Sequence, residues 1–291
     1  MPASLHRRGL GGPRPRWRRG RTKATTTRAT FIAAGDTAPM RRFEGRVVLV
    51  TGGSSGIGFE TAKAFLEEGA KVAITARHAA RLNAAGRRLA RHGTVLAIRG
   101  DVSKAADVRR VVSRTRQALG PIDVLVNNAG VYLYKPLVQL SEREWDRVLD
   151  VNLKGTFLCT RAVLPGMLRR RRGAIVNVSS DSGLVGSEGT TAYCASKAGI
   201  VLMTKALALE VAARGVRVNA VCPGEVDTPM LRVGLPSGLV RAKLRDLAAG
   251  IPMGRIATPE QVARVVLFLA GDEASHITGA AIPVDGGASA A

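Results

Sequence analysis

Cysteine is scarce in this sequence, and its three cysteines have no recognisable spacing. Cys159, Cys194 and Cys222 are odd in number, and they form neither a metal-binding nor a redox pair along the chain. No apolar run is long enough to span a bilayer. These absences argue against a disulfide scaffold, a cysteine-based zinc module and a transmembrane helix. We expect a protein of a reducing, cytoplasmic compartment without a bound metal.

Acidic residues are half as frequent as basic residues, and the imbalance is strongest at the N-terminus. The chain has 44 Lys and Arg against 22 Asp and Glu, a formal net charge of +22. Residues 1–40 contain nine bases and one acid, Asp36, and they show no hydrophobic periodicity. That composition predicts a disordered basic extension.

From residue 46 onward, apolar strands alternate with helical segments. The predicted strands are 46–51, 72–76, 95–99, 122–127, 174–179, 216–222 and 281–284, and the predicted helices are 59–68, 80–91, 105–119, 142–170, 192–213 and 259–270. This alternation predicts a doubly wound parallel sheet of about seven strands, with helices on both faces. Composition does not change abruptly after residue 41, so we expect one α/β domain over residues 41–291.

A glycine-rich turn follows the first predicted strand and leads into a helix. The turn reads Gly52-Gly53-Ser54-Ser55-Gly56-Ile57-Gly58. Glycines permit a tight turn and let the backbone approach a pyrophosphate, and the helix start offers unpaired N–H groups to phosphate oxygens. The order of strand, turn and helix therefore predicts a dinucleotide site.

Tyr193 and Lys197 lie one helical turn apart, and Ser180 precedes Tyr193 by thirteen residues. Positions i and i+4 share a helix face, so the ammonium can lie beside the phenol and favour its ionised form. A nearby serine can hold the oxygen of an alcohol or a carbonyl while the tyrosine moves the proton. Alone, the Tyr-x-x-x-Lys pattern is common on helix surfaces. The dinucleotide site earlier in the chain is what indicates an acid–base pair.

Together these motifs resemble the short-chain dehydrogenase/reductase family over residues 42–287. Thr51-Gly52-x-x-x-Gly56-x-Gly58 is similar to its cofactor motif, and Asn127-Asn128-Ala129-Gly130 to the motif after its fourth strand. Asn152, Ser180, Tyr193 and Lys197 match its catalytic tetrad, and Pro223-Gly224 and Pro283-Val284-Asp285-Gly286-Gly287 match two further motifs. The resemblance implies a Rossmann-type fold, an NAD(P)-dependent oxidoreductase acting on CH–OH groups, and a homo-tetramer or dimer.

The resemblance also implies a role for each catalytic residue. Ser180 holds the substrate oxygen, and Tyr193 donates the proton in reduction. Lys197 lowers the pKa of Tyr193 and grips the nicotinamide ribose. Asn152 bends its helix to hold a water in a proton relay.

The same resemblance assigns cofactor binding to a larger set of residues. They are Thr51, Gly52, Ser54, Ser55, Gly56, Ile57, Gly58, Arg77, Asp101, Val102, Asn128, Ala129, Gly130, Tyr193, Lys197, Pro223, Gly224, Val226 and Thr228. Ala76-Arg77 stands where NAD-type sites carry an acid, so NADP(H) is the expected cofactor and NAD(H) the alternative. Arg77 could instead be a solvated strand-end charge. Asp101 could bind the adenine amino group, cap the following helix, or do both.

The predicted substrate loop covers residues 225–251 and is expected to be the least regular part of the domain. Predicted substrate contacts are Ser180, Ser182, Tyr193 and Glu225. Mostly apolar walls suit a small-molecule ketone or secondary alcohol of moderate size. The alternatives are a 3-oxoacyl substrate on an acidic acyl carrier protein, attracted by runs such as Arg169–Arg172, and a non-catalytic NADP(H)-binding regulator.

Three interpretations of residues 1–40 stay open. The segment binds nucleic acid or an anionic membrane non-specifically, it is an organelle transit peptide, or the working protein starts at Met40. We favour the last, because the chain from Met40 to Val47 resembles a common start in the family. Only charge supports nucleic-acid binding, so nucleic acid is not an expected partner. No apolar region follows Arg7 and Arg8, which argues against a secretory signal.

Overall fold

A computed structural model describes residues 41–232 and 240–290. Its strands are β1 Val47–Thr51, β2 Lys71–Ala76, β3 Val95–Arg99, β4 Val124–Asn127, β5 Gly173–Val178, β6 Val216–Pro223 and β7 Ala281–Val284. Its α-helices are α1 Gly56–Glu67, α2 Ala79–Leu89, α3 Ala105–Leu119, α4 Glu142–Leu149, α5 Gly155–Arg170, α6 Thr191–Val211, α7 Val240–Ala249 and α8 Pro259–Ala270. The predicted extension over residues 1–40 lies outside the described residues.

All seven strands are parallel and lie in the order β3-β2-β1-β4-β5-β6-β7. The chain crosses from one half of the sheet to the other between β1 and β4. Their carboxyl ends therefore form the switch point at which open α/β sheets bind ligands. The predicted doubly wound parallel sheet is confirmed.

Alternate residues of β1 belong to two separate apolar cores. Val48 and Val50 pack with α1, α2 and α8 on one face of the sheet. Val47 and Leu49 pack with α3, α5 and the end of α6 on the other. Because both faces are covered, the strand is apolar from Val47 to Val50 rather than alternating.

Two predicted segments differ from the structure. The helix predicted over residues 142–170 is divided by a π-helical turn, Asp150–Lys154, in which hydrogen bonds span five residues rather than four. Asn152 is buried within this turn. The predicted substrate loop contains a short 3₁₀ helix, Pro229–Arg232, and the helix α7. Within residues 41–232 and 240–290, no helix has the length and apolar character needed to cross a membrane.

Candidate active site

The glycine-rich turn crosses the carboxyl ends of β1 and β2. Gly52 donates from its backbone to the carbonyl of Thr75 at 2.8 Å, which ties the turn to β2. Gly52 and Gly56 have φ angles of +67° and +55°, a region that side chains other than glycine rarely adopt. A Cβ on Gly52 would lie 2.7 Å from Asn128 Nδ2, so the turn has no room for a side chain.

The start of α1 faces this turn with free backbone donors. Ser55 caps the helix without a side-chain hydrogen bond, and the first turn contains no acidic residue. Among the described residues, no acceptor satisfies the N–H groups of Ser55, Gly56 and Ile57. Unpaired N–H groups at the positive end of a helix dipole attract an anion. This donor set fits the pyrophosphate of a dinucleotide.

Asn128 and Thr51 join the ends of β4 and β1. Thr51 Oγ1 accepts from the backbone N–H groups of Asn128 and Ala129, both at 3.0 Å. Asn128 Nδ2 donates in return to the carbonyls of Thr51 at 2.9 Å and Gly52 at 3.3 Å. Gly58 packs against the same amide, which places the first turn of α1 close to β4. These contacts hold the glycine-rich turn against the sheet edge.

A basic group lies where β2 ends. Arg77, His78 and Arg81 line the same cavity as the glycine turn. Sequence reasoning identified Arg77 and missed the other two. A signal was available for Arg81, because it lies in the first turn of the helix that follows Arg77 in the sequence.

Asp101 is not a wall of this cavity, although its neighbours Gly100 and Val102 are. Its Oδ1 accepts from the backbone and the hydroxyl of Ser103, at 3.0 and 2.7 Å. Lys104 is the residue that precedes α3. The carboxylate thus orders the turn before the helix, and its contact with a nucleobase stays a prediction.

Ser180, Tyr193 and Lys197 meet at the carboxyl end of β5. Ser180 follows the strand, and the other two lie in the first two turns of α6. Lys197 Nζ lies 5.5 Å from the centre of the Tyr193 ring and donates to the carbonyl of Val178 at 2.9 Å. Only 4% of Lys197 and 7% of Ser180 are exposed to solvent, so both side chains are buried at the base of the site.

Burial has opposite effects on the two ionisable groups of α6. It raises the pKa of the Tyr193 phenol, and the hydrogen bond with Ser180 only partly opposes the rise. Burial lowers the pKa of Lys197 to about 8. Desolvation of the phenolate is the largest cause of the Tyr193 shift, and a lowering effect of Lys197 on this pKa stays a prediction.

Asn152 lies behind the catalytic group in the π-helical turn and is fully buried. Its Oδ1 accepts from the Val131 backbone at 2.8 Å, and its Nδ2 donates to the Val131 carbonyl and to Ser196 Oγ, both at 3.0 Å. Ser196 donates to the carbonyl of Tyr193 at 2.7 Å. A π-helical turn lies where the bend was predicted, and the amide couples that turn to α6.

One cavity of about 890 Å³ connects the glycine turn to the catalytic group. Among the predicted residues it is lined by Gly52, Ser54, Ser55, Gly56, Ile57, Arg77, Val102, Asn128, Ala129, Gly130, Ser180, Ser182, Tyr193, Lys197, Pro223, Gly224, Glu225, Val226 and Thr228. The predicted residues Thr51, Gly58, Asp101 and Asn152 lie outside its wall. Thr51, Gly58 and Asn152 support residues that do line it.

Aromatic and acidic side chains surround the far end of the cavity. Tyr132 meets the Tyr193 ring edge to face, with the ring centres 5.1 Å apart and an interplanar angle of 77°. Asp181 and Glu225 line the same end, together with Lys243. Sequence reasoning missed Asp181, although it directly follows the predicted catalytic serine. Burial raises the pKa of the Glu225 carboxyl, and the charge of Asp181 adds to that rise.

Comparison with known proteins identifies the family. The family described as "Enoyl-(Acyl carrier protein) reductase" matches residues 52–289. The chain is 45% identical over 252 residues to the 3-oxoacyl-[acyl-carrier-protein] reductase FabG of Thermotoga maritima, covering 84% of this chain and 98% of that protein. It is 42% identical over 257 residues to the 2-(S)-hydroxypropyl-CoM dehydrogenase 3 of Xanthobacter autotrophicus, covering 86% and 98%.

A solved structure gives the same result. The crystal structure of levodione reductase superposes with a TM-score of 0.82 at 35% identity, covering 86% of this chain and all of that one. Fold, site geometry and sequence identity agree over the same part of the chain. The protein belongs to the short-chain dehydrogenase/reductase family.

Proposed function

We propose that the protein is an NADP(H)-preferring oxidoreductase that interconverts a ketone and a secondary alcohol, with Tyr193 as the proton donor and acceptor. One observation carries the proposal. Ser180, Tyr193 and Lys197 converge on the floor of a cavity that continues to the glycine-rich turn and the free N–H groups of α1. A nucleotide and a small substrate can therefore be held side by side in one enclosed space.

The chain's own residues provide a place for each part of the cofactor. The N–H groups at the start of α1 bind the pyrophosphate, and Lys197 holds the ribose hydroxyls nearest the catalytic group. Bound NADP(H) supplies or accepts the hydride. Arg77 and Arg81 support a preference for NADP(H), because guanidinium groups bind a 2′-phosphate more strongly than a hydroxyl.

The proton chemistry follows from the burial of Tyr193. A phenol whose pKa is raised stays protonated at neutral pH, which is the form needed to protonate the oxygen of a ketone during reduction. In the reverse direction the same group must first lose its proton. Ser180 positions the substrate oxygen, and Asn152 holds the start of α6 in place through Ser196.

A 3-oxoacyl-[acyl-carrier-protein] reductase is the second candidate, and the 45% identity to the Thermotoga maritima protein favours it. An acidic carrier would meet basic side chains on the surface at Arg169, Arg170 and Arg172, which are exposed. In this candidate the catalytic chemistry is unchanged and only the group carrying the ketone differs.

Assembly and location are also proposals. Leu202 and Leu209 on α6 are 67% and 86% exposed, and Phe157 on α5 is 43% exposed. These apolar side chains support a homo-tetramer or dimer that pairs the two long helices. We also propose a cytoplasmic location, since all three cysteines are free thiols.

The function is tested by oxidation of NADPH and NADH at matched concentrations with ketones, quinones, reducible sugars and a 3-oxoacyl thioester. Turnover of a free ketone or sugar with NADPH supports the first candidate. Preferential turnover of the thioester supports the second. Cofactor binding without turnover of any of them would favour a non-catalytic NADP(H)-binding protein.

A further inference from the structure

The two ends of the cavity carry charges of opposite sign. Two arginines, Arg77 and Arg81, line the end where β2 finishes. At the opposite end, beyond the catalytic group, the described wall contains three carboxylates, which we call the acidic end: Asp181, Glu188 and Glu225. Besides the catalytic Lys197, the one basic residue described there is Lys243, an exposed residue of α7. Acidic groups therefore outnumber basic groups where a substrate would extend from Tyr193.

Asp181 and Glu225 lie next to each other in the acidic end. Asp181 Oδ2 would be 3.2 Å from a Cβ on Gly224, the residue before Glu225. The hydrogen bonds that join Asp181 to Ser180 and Ser182 all use Oδ1, so within residues 41–232 and 240–290 its Oδ2 has no partner. The same holds for the carboxylate of Glu225 among these residues. These oxygens are therefore available to a ligand.

The pKa values of neighbouring groups show that the negative charge of the acidic end is not compensated. Burial raises the pKa of Glu225, the charge of Asp181 raises it further, and Lys243 opposes the rise only in part. Burial also raises the pKa of Tyr132, and the charges of Glu225 and Asp181 add to that rise. Each group thus favours its form of lower negative charge. A positive charge bound among them would reverse these electrostatic effects.

Two aromatic rings border the acidic end. Tyr132 and Tyr134 line the cavity and are 44% and 61% exposed. The Tyr134 ring packs over Gly189, where an added Cβ would lie 2.5 Å from Cε2 of the ring. The Lys135 backbone donates to the Gly189 carbonyl at 2.6 Å. These contacts place Tyr134 beside Glu188, the residue before Gly189.

Carboxylates without a counter-charge and exposed aromatic rings attract the same class of ligand, an organic cation. A cation compensates the charge of the carboxylates, and its attraction to the face of a tyrosine ring adds to the binding. A sugar hydroxyl donates to a carboxylate but leaves its charge in place, and an anionic group is repelled. The Tyr132 ring meets the Tyr193 ring, so a cation at the acidic end lies only a few bonds from a carbon that reacts at Tyr193.

We propose that the acidic end binds a positively charged group of the substrate, and that the substrate is a ketone or secondary alcohol with an alkylammonium group a few bonds from the reacting carbon. This inference rests on the proposed function, because it takes the reacting carbon to lie beside Tyr193. It names the class of small molecule for which the carboxylates and the tyrosine rings select. An acyl chain on a carrier protein has no such charge.

The test uses three ketones of similar size that differ in charge. 5-(Trimethylammonio)pentan-2-one is the cation, 6,6-dimethylheptan-2-one replaces its nitrogen with carbon and is neutral, and 5-oxohexanoate is an anion. Each ketone is titrated into the full-length protein in the presence of NADP⁺, a complex in which no hydride can be transferred. The kcat/KM of each ketone is then measured with NADPH. Each protein is described by the ratio of the values for the cation and its neutral isostere.

The wild type should prefer the cation over the neutral ketone by at least about tenfold and should bind the anion most weakly, as expected for a partly desolvated cation beside aromatic rings. Glu225→Gln removes one charge and nearly retains the side-chain shape, so it should lower the ratio about threefold or more. Lys243→Gln removes the opposing charge and should raise the ratio. Glu67→Gln is the matched control, because it makes the same change at an exposed position outside the cavity wall and should leave the ratio unaltered.

Each ratio compares two ketones in one protein, so a general effect of a substitution on folding or catalysis cancels. Equal values for the cation and its neutral isostere in the wild type would overturn the inference, and so would a preference that Glu225→Gln leaves unchanged. Neither result would affect the proposed function as long as the wild type reduces a ketone with NADPH. Preferential binding of the cation without reduction of any ketone would support the acidic end as a cation site and contradict the proposed function.

Discussion

Asn128 donates from its side-chain amide to the carbonyl of Thr51 at 2.9 Å, across 77 residues of sequence. Thr51 accepts in return from the Asn128 backbone at 3.0 Å. The pair closes the space between β1 and β4, which is the switch point of the sheet. The same amide limits how closely the glycine-rich turn and α1 approach the sheet, so the pair links the strand order to the proposed cofactor site.

Replacing Asn128 with Ala should weaken both the fold and the cofactor site. The change removes two donated hydrogen bonds and leaves carbonyl groups of Thr51 and Gly52 without this donor. We expect a loss of about 1–3 kcal/mol in the free energy of unfolding and weaker NADPH binding. Urea unfolding and NADPH titration measure the two effects. Asn83→Ala, on the exposed side of α2, is the control and should change neither. Wild-type NADPH affinity in Asn128→Ala would show that the Asn128–Thr51 hydrogen bonds do not shape the cofactor site.

Replacing Tyr193 with Phe should abolish turnover and leave NADPH affinity nearly intact. The substitution removes the hydroxyl that moves the proton and keeps the ring that packs against Tyr132. The expected loss of kcat is at least about 10²- to 10⁴-fold, the usual contribution of a positioned acid or base. Steady-state kinetics and fluorescence titration with NADPH give the two quantities. Tyr134→Phe, which changes a more exposed tyrosine of the same cavity, should retain most of the activity. Substantial activity in Tyr193→Phe would contradict the assignment of Tyr193 as the proton donor.

Replacing Arg77 with Asp should move cofactor preference from NADPH towards NADH. An aspartate repels a 2′-phosphate and accepts hydrogen bonds from a ribose 2′-hydroxyl. The ratio of kcat/KM for the two cofactors is the measurement. Arg91→Asp makes the same charge change at an exposed position outside the cavity, and we expect it to leave the ratio unaltered. If both variants keep the wild-type ratio, Arg77 is a surface charge without a role in cofactor choice.

The buried amine of Lys197 should make stability depend on pH. Its pKa is lowered from 10.5 to about 8 in the folded protein by desolvation. Between these values the unfolded chain binds the proton and the folded protein does not, so the free energy of unfolding rises with pH across this window. Relative to Lys197→Met, the wild type should gain about 3 kcal/mol from pH 8 to pH 10.5, at about 1.4 kcal/mol for each pH unit. Urea unfolding at several pH values measures the difference. A constant difference would show that Lys197 titrates normally in the folded protein.

Deleting residues 1–39 should leave folding and specific activity unaltered. The prediction rests on the sequence, since that segment lies outside the described residues, and on the seven-stranded sheet and its helices described within residues 41–232 and 240–290. Thermal unfolding and steady-state kinetics of the shortened protein are the measurements. A product that unfolds, or one whose specific activity falls, would contradict the interpretation that the working protein starts at Met40.

Much of the fold follows from the sequence because its signals are local. The apolar residues of β1 and the glycines after it predict a strand and a turn from their own backbone preferences. The i, i+4 spacing of Tyr193 and Lys197 places them on one helix face before any tertiary contact is known. Family resemblance then supplied the wider set of site residues, most of which line the cavity.

Other features depend on packing between distant segments. The π-helical turn at Asn152 exists because that amide bonds to Val131 and Ser196, which are 21 and 44 residues away in the sequence. The orientation of Asp101 was ambiguous in the sequence, since a single carboxylate can serve either a ligand or a helix start. The position of Asp181 could not be predicted for a different reason. Its side-chain direction depends on the 3₁₀ turn Asp181–Gly183, which no sequence motif indicates.

By itself, the sequence determined the order of the seven strands, the glycine-rich turn and the residues able to move a proton. These properties depend on backbone preference and short-range spacing, which any local stretch of chain carries. The tertiary structure alone decided the desolvation of Tyr193 and Lys197, the hydrogen bonds between Asn128 and Thr51, and the enclosure of the cavity. Solvent exclusion and hydrogen-bond partners come from segments that meet only when the sheet is formed, and they set the pKa values on which the proposed chemistry depends.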